Sequence, residues 1–426
     1  MQKLIARLFD GKQILILGFG KEGKSTYDYI SKFIDNDKIS IADASESAIP
    51  EEIKVKHKTF TGEKYNENLN DFDIIIKSPG IPEKHIENVD IEKITSQTDL
   101  FLRKYYTQTI GITGTKGKST TSSLIHHVLK QGNHNSILAG NIGIPIFSQL
   151  NKIDDNTIII LELSAHQLNH IHIAPKISIL LNIYEEHLDH FGSFEKYIDA
   201  KCKIFEKQKN NSILIIDKNI EIIKNSLSKY QGEIIYFDEN KIDIQGNLSG
   251  DHNKKNIAAV KEVAQLFNID EDIIDNSVVS FQTLEHRLEF VGEFNGIKFY
   301  NDSISTIPEA AIAAFEAIKD VDTAILGGYD RGINYNKLCK YIANSDIRNI
   351  ILMGDAGNRI GNILESKWNI DTIYVEGLEK AVEIAFKETK IGKSCVLSPA
   401  ASSYDSFKNF EERGNLYKVF IQKHKG

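Results

Sequence analysis

The chain has 426 residues, enough for two to four domains of ordinary size, each with its own buried core. Hydrophobic residues make up 41% and charged residues 26%, the balance of a folded protein rather than a disordered one. A net charge of −8, with lysines dispersed and no polybasic tract, argues against a nucleic-acid partner, because a phosphate backbone selects for a basic face.

The N-terminal stretch MQKLIARLFDGKQILILG has no apolar run long enough for a signal core. No window reaches the roughly 18 apolar residues of a membrane span, so no membrane partner and a cytoplasmic location are expected. From residue 11, β-rich runs ending in glycine or acid alternate with helical stretches: QILILGFG, KISIAD, DFDIIIKSPG. This alternation predicts βα units on a parallel sheet, a Rossmann-like domain over residues 1–95. Gly18-Phe19-Gly20-Lys21-Glu22-Gly23 follows the first strand, and Asp43 ends the next one, 20 residues beyond Gly23. Taken alone, that spacing fits a dinucleotide fingerprint and an NAD-linked oxidoreductase.

A second series opens with TQTIGITGTKGKSTTSSLIHHVLK and continues through NTIIILELSAHQ, KISILLNIYEEHLDHF and NSILIIDKN, which predicts a central P-loop ATPase-like domain over 96–284. Thr113-Gly114-Thr115-Lys116-Gly117-Lys118-Ser119-Thr120 lies between a strand and a helix. Glycines turn backbone N–H groups onto phosphate oxygens, the helix N-terminus adds positive potential, Lys118 supplies a point charge and Ser119 is a Mg²⁺ ligand. Magnesium needs hard oxygens near the phosphates, and Glu162 at the end of NTIIILE is placed to be one. The three cysteines, Cys202, Cys339 and Cys395, have no paired spacing and predict neither a disulfide framework nor a thiolate metal site.

The remaining residues, 285–426, alternate again through IKFYNDS, TAILGGYD, RNIILMGDAG, DTIYVEG and SCVLSPAASS. They predict a C-terminal Rossmann-like, doubly wound sheet, giving an α/β protein of three domains.

The order of the short T-G-x-x-G-K-S loop, then Glu162-Leu163-Ser164, then Asn182 to Asp189 read as N-x-x-x-x-H-x-D, resembles the Mur ligase family. The family's short loop also accounts for Ile112 standing where longer phosphate loops carry glycine. The segment Ser398 to Gly414, SPAASSYDSFKNFEERG, is similar to the glutamate-adding branch.

The resemblance implies an ATP-dependent amide ligase of peptidoglycan synthesis that works through an acyl phosphate, with ATP and two Mg²⁺ ions. It implies ATP contacts at Gly114, Thr115, Lys116, Gly117, Lys118, Ser119 and Thr120, with Asn253 at the adenine, Arg287 nearby and Asp302 at the ribose. Metal ligands would be Ser119, Glu162, His187 and Lys201, the last as a CO₂-derived carbamate. Lys118, His187 and Lys201 would carry the chemistry. UDP-N-acetylmuramoyl-L-alanine would lie against Gly18, Phe19, Gly20, Lys21, Asp43, Gly80 and Asn141, and the incoming glutamate against Thr306, Arg331, Ser403, Tyr404 and Phe410. A monomer that closes by a hinge around its central domain is expected.

Two positions depart from the branch. Ile304 replaces a lysine in Asp302-Ser303-Ile304-Ser305-Thr306, and Arg331 replaces another in Gly327-Gly328-Tyr329-Asp330-Arg331-Gly332. The expectation is D-glutamate, with the L-glutamate variant branch as its alternative. A folylpolyglutamate synthase would lack a first domain of this kind, and a nucleotide switch would lack the C-terminal segment.

Overall fold

The computed structural model describes residues 1–140, 145–186, 188–242, 251–281 and 285–425, with only the backbone of 188, 189, 251 and 252. The expectations placed on Asn141 and His187 lie outside the described residues. The chain divides into two compact units, Met1–Phe281 and Gln282–Gly426. No helix among the described residues is long and apolar enough to cross a membrane.

Unit one holds two all-parallel sheets. The first is built from β1 (Ile14–Leu17), β2 (Ile39–Asp43), β3 (Lys58–Thr61), β4 (Ile74–Lys77) and β5 (Ile94–Thr95), in the order β3-β2-β1-β4-β5. All four residues of β1 are buried, as a near-continuous branched run must be when helices cover both faces of a sheet. The second has β6 (Thr109–Thr113), β7 (Ser136–Gly140), β8 (Ile158–Glu162), β9 (Ile177–Leu180), β10 (Ile213–Asp217) and β11 (Glu233–Phe237), in the order β11-β10-β9-β6-β8-β7. In each sheet the strand order reverses at one strand, β1 in the first and β6 in the second. Ligands of open parallel sheets bind at the carboxyl end of that position.

Helix Lys118–Gln131 follows β6 and packs against helix Asp251–Leu266. Leu124, Ile125, Val128 and Leu129 meet Ile257, Val260 and Val263 in one apolar cluster. Each such fully buried side chain contributes about 1.5–3 kcal/mol, so the helix that starts at the glycine loop is firmly seated.

The two sheets of unit one are tied together by buried ionic groups. Asp99, fully buried, accepts hydrogen bonds from Thr95 Oγ1 (2.8 Å), Arg103 Nε (2.9 Å) and the His172 backbone N–H (2.7 Å), and pairs with His172 Nδ1 at 3.0 Å. Glu83, beside the end of β4, pairs with buried Lys77 at 3.0 Å and His170 at 2.9 Å. The Lys77 and His170 contacts hold its carboxyl down at about 2, against the desolvation that burial imposes.

Unit two has one six-stranded sheet of β12 (Glu289–Phe294), β13 (Ile297–Asn301), β14 (Val321–Gly327), β15 (Asn349–Met353), β16 (Ile373–Val375) and β17 (Ser394–Leu397), ordered β12-β13-β17-β14-β15-β16. The pairs are parallel except β12 with β13, which form a hairpin. Asn295 and Gly296 join them with φ of 54° and 75°, the left-handed pair that matches strand twist in a two-residue turn. The sequence pattern places the first strand of this domain at IKFYNDS, and the antiparallel edge strand before it is an addition.

Candidate functional site

The loop after β6 is held open by its neighbours. Asn182 Oδ1 accepts the backbone N–H of Thr115 (3.0 Å) and of Lys116 (2.9 Å), while Asn182 Nδ2 donates to the Lys116 carbonyl (2.9 Å). Thr115 Oγ1 lies 3.1 Å from the Tyr197 hydroxyl and accepts the Tyr184 N–H. Gly117 caps the helix with φ of +87°, and a Cβ there would lie 2.4 Å from Asn256 Oδ1. Only glycine meets both the backbone angle and the close approach. Asn256 Nδ2 in turn donates to Asn253 Oδ1 at 3.0 Å, which sets Asn253 beside the loop.

Two lysines converge on one carbonyl oxygen. Lys118 Nζ donates to Gly114 O at 2.9 Å and to Thr115 O at 3.0 Å, and Lys201 Nζ donates to the same Gly114 O at 2.8 Å. Lys201 comes from helix Phe194–Glu206, is 1% exposed, and lies over the Tyr197 ring at 4.8 Å. Burial first, and the Lys118 charge second, push its ammonium well below the ordinary lysine range. A neutral amine is the form that adds CO₂. Glu162 ends β8, opposite Ile112 of β6, and is 1% exposed; Ser119, in the first helical turn, is 4% exposed. A hydroxyl and a carboxylate are hard oxygen donors, and they stand beside a backbone cradle and the Lys118 side chain, which fits magnesium-bound polyphosphate.

The first sheet presents a second loop at the carboxyl end of β1. Gly18 N–H donates to Ala42 O (2.7 Å), Phe19 N–H to Asp43 Oδ2 (2.6 Å), and Ser78 Oγ to Gly18 O (2.8 Å). Gly18, Asp43 and the Ser78 to Gly80 turn are thereby brought together. The Phe19 side chain is buried against Tyr27, so only its backbone faces the loop, whereas Lys21 is exposed. A Cβ on Gly80 would meet nothing within 4 Å, so the turn borders open space.

In unit two the expected residues gather at the carboxyl ends of β13, β14 and β17. Asp302 is buried, accepting from Ser398 Oγ (2.7 Å) and the Leu288 N–H (3.1 Å), and burial pushes its carboxyl up to about 6. Arg287 is exposed. Arg331 Nη2 donates to Thr306 O at 2.7 Å, so these two meet directly. Arg359 pairs with Asp330 and donates to Ile333 O (2.9 Å), which fixes the turn that carries Arg331. Ser403 is buried, Phe410 half-buried and Tyr404 63% exposed.

Asn182, Asn256, Arg359 and the Lys77–Glu83–His170 group received no role from the sequence. Asn182 begins the N-x-x-x-x-H motif, and its position just beyond the end of β9 was the available signal.

Fold and site together define a P-loop α/β enzyme that uses a nucleoside triphosphate. The Mur ligase middle domain model matches residues 112–297 and the Mur ligase glutamate ligase domain model residues 286–401. The chain is 31% identical to the UDP-N-acetylmuramoylalanine–D-glutamate ligase of Acetivibrio thermocellus, over 96% of both chains. It is 32% identical to the enzyme of the same name from a Thermoanaerobacter species, covering 96% of this chain and 98% of that one. Among solved structures it is similar to the UDP-N-acetylmuramate–alanine ligase MurC of Thermotoga maritima (TM-score 0.55, 16% identity, 97% and 99% of the two chains). It is similar also to MurF of the same organism in complex with ADP (TM-score 0.55, 16% identity, 97% and 94%). The chain belongs to the Mur ligase family and is an ATP-dependent amide ligase.

Proposed function

We propose that this ligase joins D-glutamate to UDP-N-acetylmuramoyl-L-alanine in peptidoglycan synthesis. The observation that carries the ligase chemistry is the convergence of Lys118 and Lys201 on Gly114 O at the mouth of the phosphate loop. The acceptor and amino acid are supported by the names of relatives that match along nearly the whole chain. Residues 1–95, 96–284 and 285–426 would serve as nucleotide-sugar, ATP and amino-acid domains of a monomer.

In the reaction the carboxylate of the alanyl group attacks the γ-phosphorus of ATP, ADP leaves, and an acyl phosphate forms. The neutral amine of glutamate adds to that carbonyl, inorganic phosphate leaves, and one proton is released as the amide forms. Lys118 and the loop amides hold the transferring phosphoryl group, and positioning supplies most of the acceleration. Magnesium held by Ser119, Glu162 and His187 would neutralise charge developing on the phosphate oxygens. Lys201 would carry a carbamate: its neutral amine adds CO₂ with loss of one proton, which leaves a buried anion beside the Lys118 ammonium. Gly18, Phe19, Gly20, Lys21, Asp43, Gly80 and Asn141 would hold the UDP-sugar, and Asn253, Arg287 and Asp302 the nucleoside of ATP. Thr306, Arg331, Ser403, Tyr404 and Phe410 would hold glutamate.

A second reading, the same acceptor joined to L-glutamate, is favoured by Ile304 and Arg331, since a guanidinium grips a carboxylate with a different reach and plane from an ammonium. Phosphate release from ATP, measured with UDP-N-acetylmuramoyl-L-alanine and either enantiomer, followed by the product mass, decides between them. ATP hydrolysis indifferent to both substrates overturns the ligase assignment for this acceptor, and incorporation of L-glutamate alone overturns the D-glutamate reading.

A further inference from the structure

Arg413 lies in helix Phe410–His424 and is 1% exposed, the largest fully buried side chain among those described. Its Nε donates to Ser303 Oγ (3.0 Å), and its Nη2 donates to Ser303 O (2.9 Å) and Ala401 O (3.1 Å). Ser303 Oγ passes the contact on to Phe410 O at 2.9 Å. The remaining nitrogen, Nη1, is buried with no hydrogen-bond partner among the described residues. It lies 3.1 Å from where a Cβ on Gly328 would stand, and that Cβ would also meet Ser402 O at 2.4 Å.

One guanidinium therefore reaches the loops after all three central strands: Ser303 beyond β13, Gly328 beyond β14 and Ala401 beyond β17. The same loops carry Thr306, Arg331, Ser403 and Tyr404. Tyr329 N–H donates to Ser402 O (2.9 Å) and Gly327 N–H to Pro399 O (2.8 Å), so the second and third loops are also joined to each other. A planar fork with fixed donor directions suits a three-loop clamp in a way that a lysine ammonium does not. A buried cation without an ion pair is costly, and charge of the opposite sign placed nearby by a ligand relieves that cost. Asp405, the acid that acts on Arg413, is exposed.

We propose that Arg413 is a positioning residue of the amino-acid site: it sets the three loops from beneath, and its buried charge favours a carboxylate of the incoming amino acid over a neutral amide. This rests on the reading that unit two binds the amino acid. Solvent and ligand do not reach the guanidinium, so its effect passes through the loops and through its field.

The test is the full-length enzyme carrying Arg413→Met or Arg413→Lys, with KM measured separately for ATP, UDP-N-acetylmuramoyl-L-alanine and the amino acid that the wild type incorporates. Arg413→Met is expected to raise KM for the amino acid about 30-fold and Arg413→Lys about 10-fold, with the KM values for ATP and nucleotide sugar moving less than about 3-fold. Preference for glutamate over glutamine or isoglutamine should fall in Arg413→Met and be partly kept in Arg413→Lys, and the amide that gains tells which carboxylate is sensed. Equal rises for all three substrates, or an unmoved preference, overturn the proposal. Where both variants fail to fold, Ser303→Ala removes one acceptor and keeps the charge. A selective rise of about 3-fold for the amino acid then supports the clamp, and an unmoved KM overturns it. A wild type that incorporates no glutamate overturns the substrate reading instead, and the variants are then compared with the amino acid it does use.

Discussion

Two glycine loops of unit one, after β1 and after β6, share a strand–loop–helix path and differ in what closes them. The first is closed by acid and hydroxyl: Asp43 on the Phe19 N–H and Ser78 on the Gly18 carbonyl. The second is closed by a neutral amide, Asn182, with two lysine Nζ atoms on one carbonyl. Their glycines also guard against different obstacles. A Cβ on Gly23 would lie 2.0 Å from the Gly18 carbonyl oxygen, whereas one on Gly117 would meet the Asn256 side chain. On the proposed reading the first loop takes the nucleotide sugar and the second the triphosphate. Backbone shape alone makes the two look alike; the closing side chains separate them.

The sharpest way to break this contrast is Lys118→Ala. Loss of the charge on the phosphoryl group should lower kcat/KM about 10³-fold, roughly 4 kcal/mol, with KM for the nucleotide sugar nearly unchanged. A loss below 10-fold would remove the polyphosphate reading of the second loop. Gly117→Ala and Gly23→Ala come next. Each should cost about 2–3 kcal/mol of binding to its own ligand, ATP for the former and the UDP-sugar for the latter, measured by titration calorimetry. Exchange of these two effects would show that the loops have been assigned the wrong way round.

Asp43→Ala should raise KM for the nucleotide sugar about 10-fold while leaving KM for ATP alone, since a charged hydrogen bond to a backbone N–H contributes about 1.5–3 kcal/mol. The smallest effect concerns Glu22, inside the first loop's helix. Burial raises its carboxyl to about 7, against hydrogen bonding from Gln167 and the Lys77 charge, which lower it. The folded protein therefore holds a proton that the unfolded chain gives up above its own, lower value. That contribution is complete below about pH 4.5 and fades as pH rises through 7. Urea melts at pH 5 and pH 8 should show Glu22→Gln losing less stability over this interval than the wild type; equal slopes would contradict the assignment.

Features written in consecutive residues were legible. The runs QILIL, KISIAD and DIIIK became β1, β2 and β4, and the GTKGKST loop lies between β6 and its helix. The local periodicity of branched residues and the spacing of glycines contain those elements. Features made by residues distant in sequence were not legible. Asn256 stands 139 positions beyond Gly117, and Arg413 reaches Ser303 across 110. Lys77, Glu83 and His170 meet only because two sheets pack, and no spacing rule announces such a meeting. The β12 hairpin was a different kind of omission, since Asn295-Gly296 between alternating residues is a short-range turn signal. Ile304 and Arg331 were visible as departures, and the contact of Arg331 with Thr306 needed the folded chain.

The bridges Asp99–His172 and Glu83–His170 have an entropic meaning. They hold the loop after β1 and the loop after β6 on one unit, so the spacing between the two proposed ligand sites of that unit is settled when the chain folds. Little of the loss of relative freedom between those ligands is then left to the moment of encounter. Loosening either bridge should show itself as slower turnover at saturating substrate as well as a lower melting temperature, because a wandering pair of sites spends less time in register.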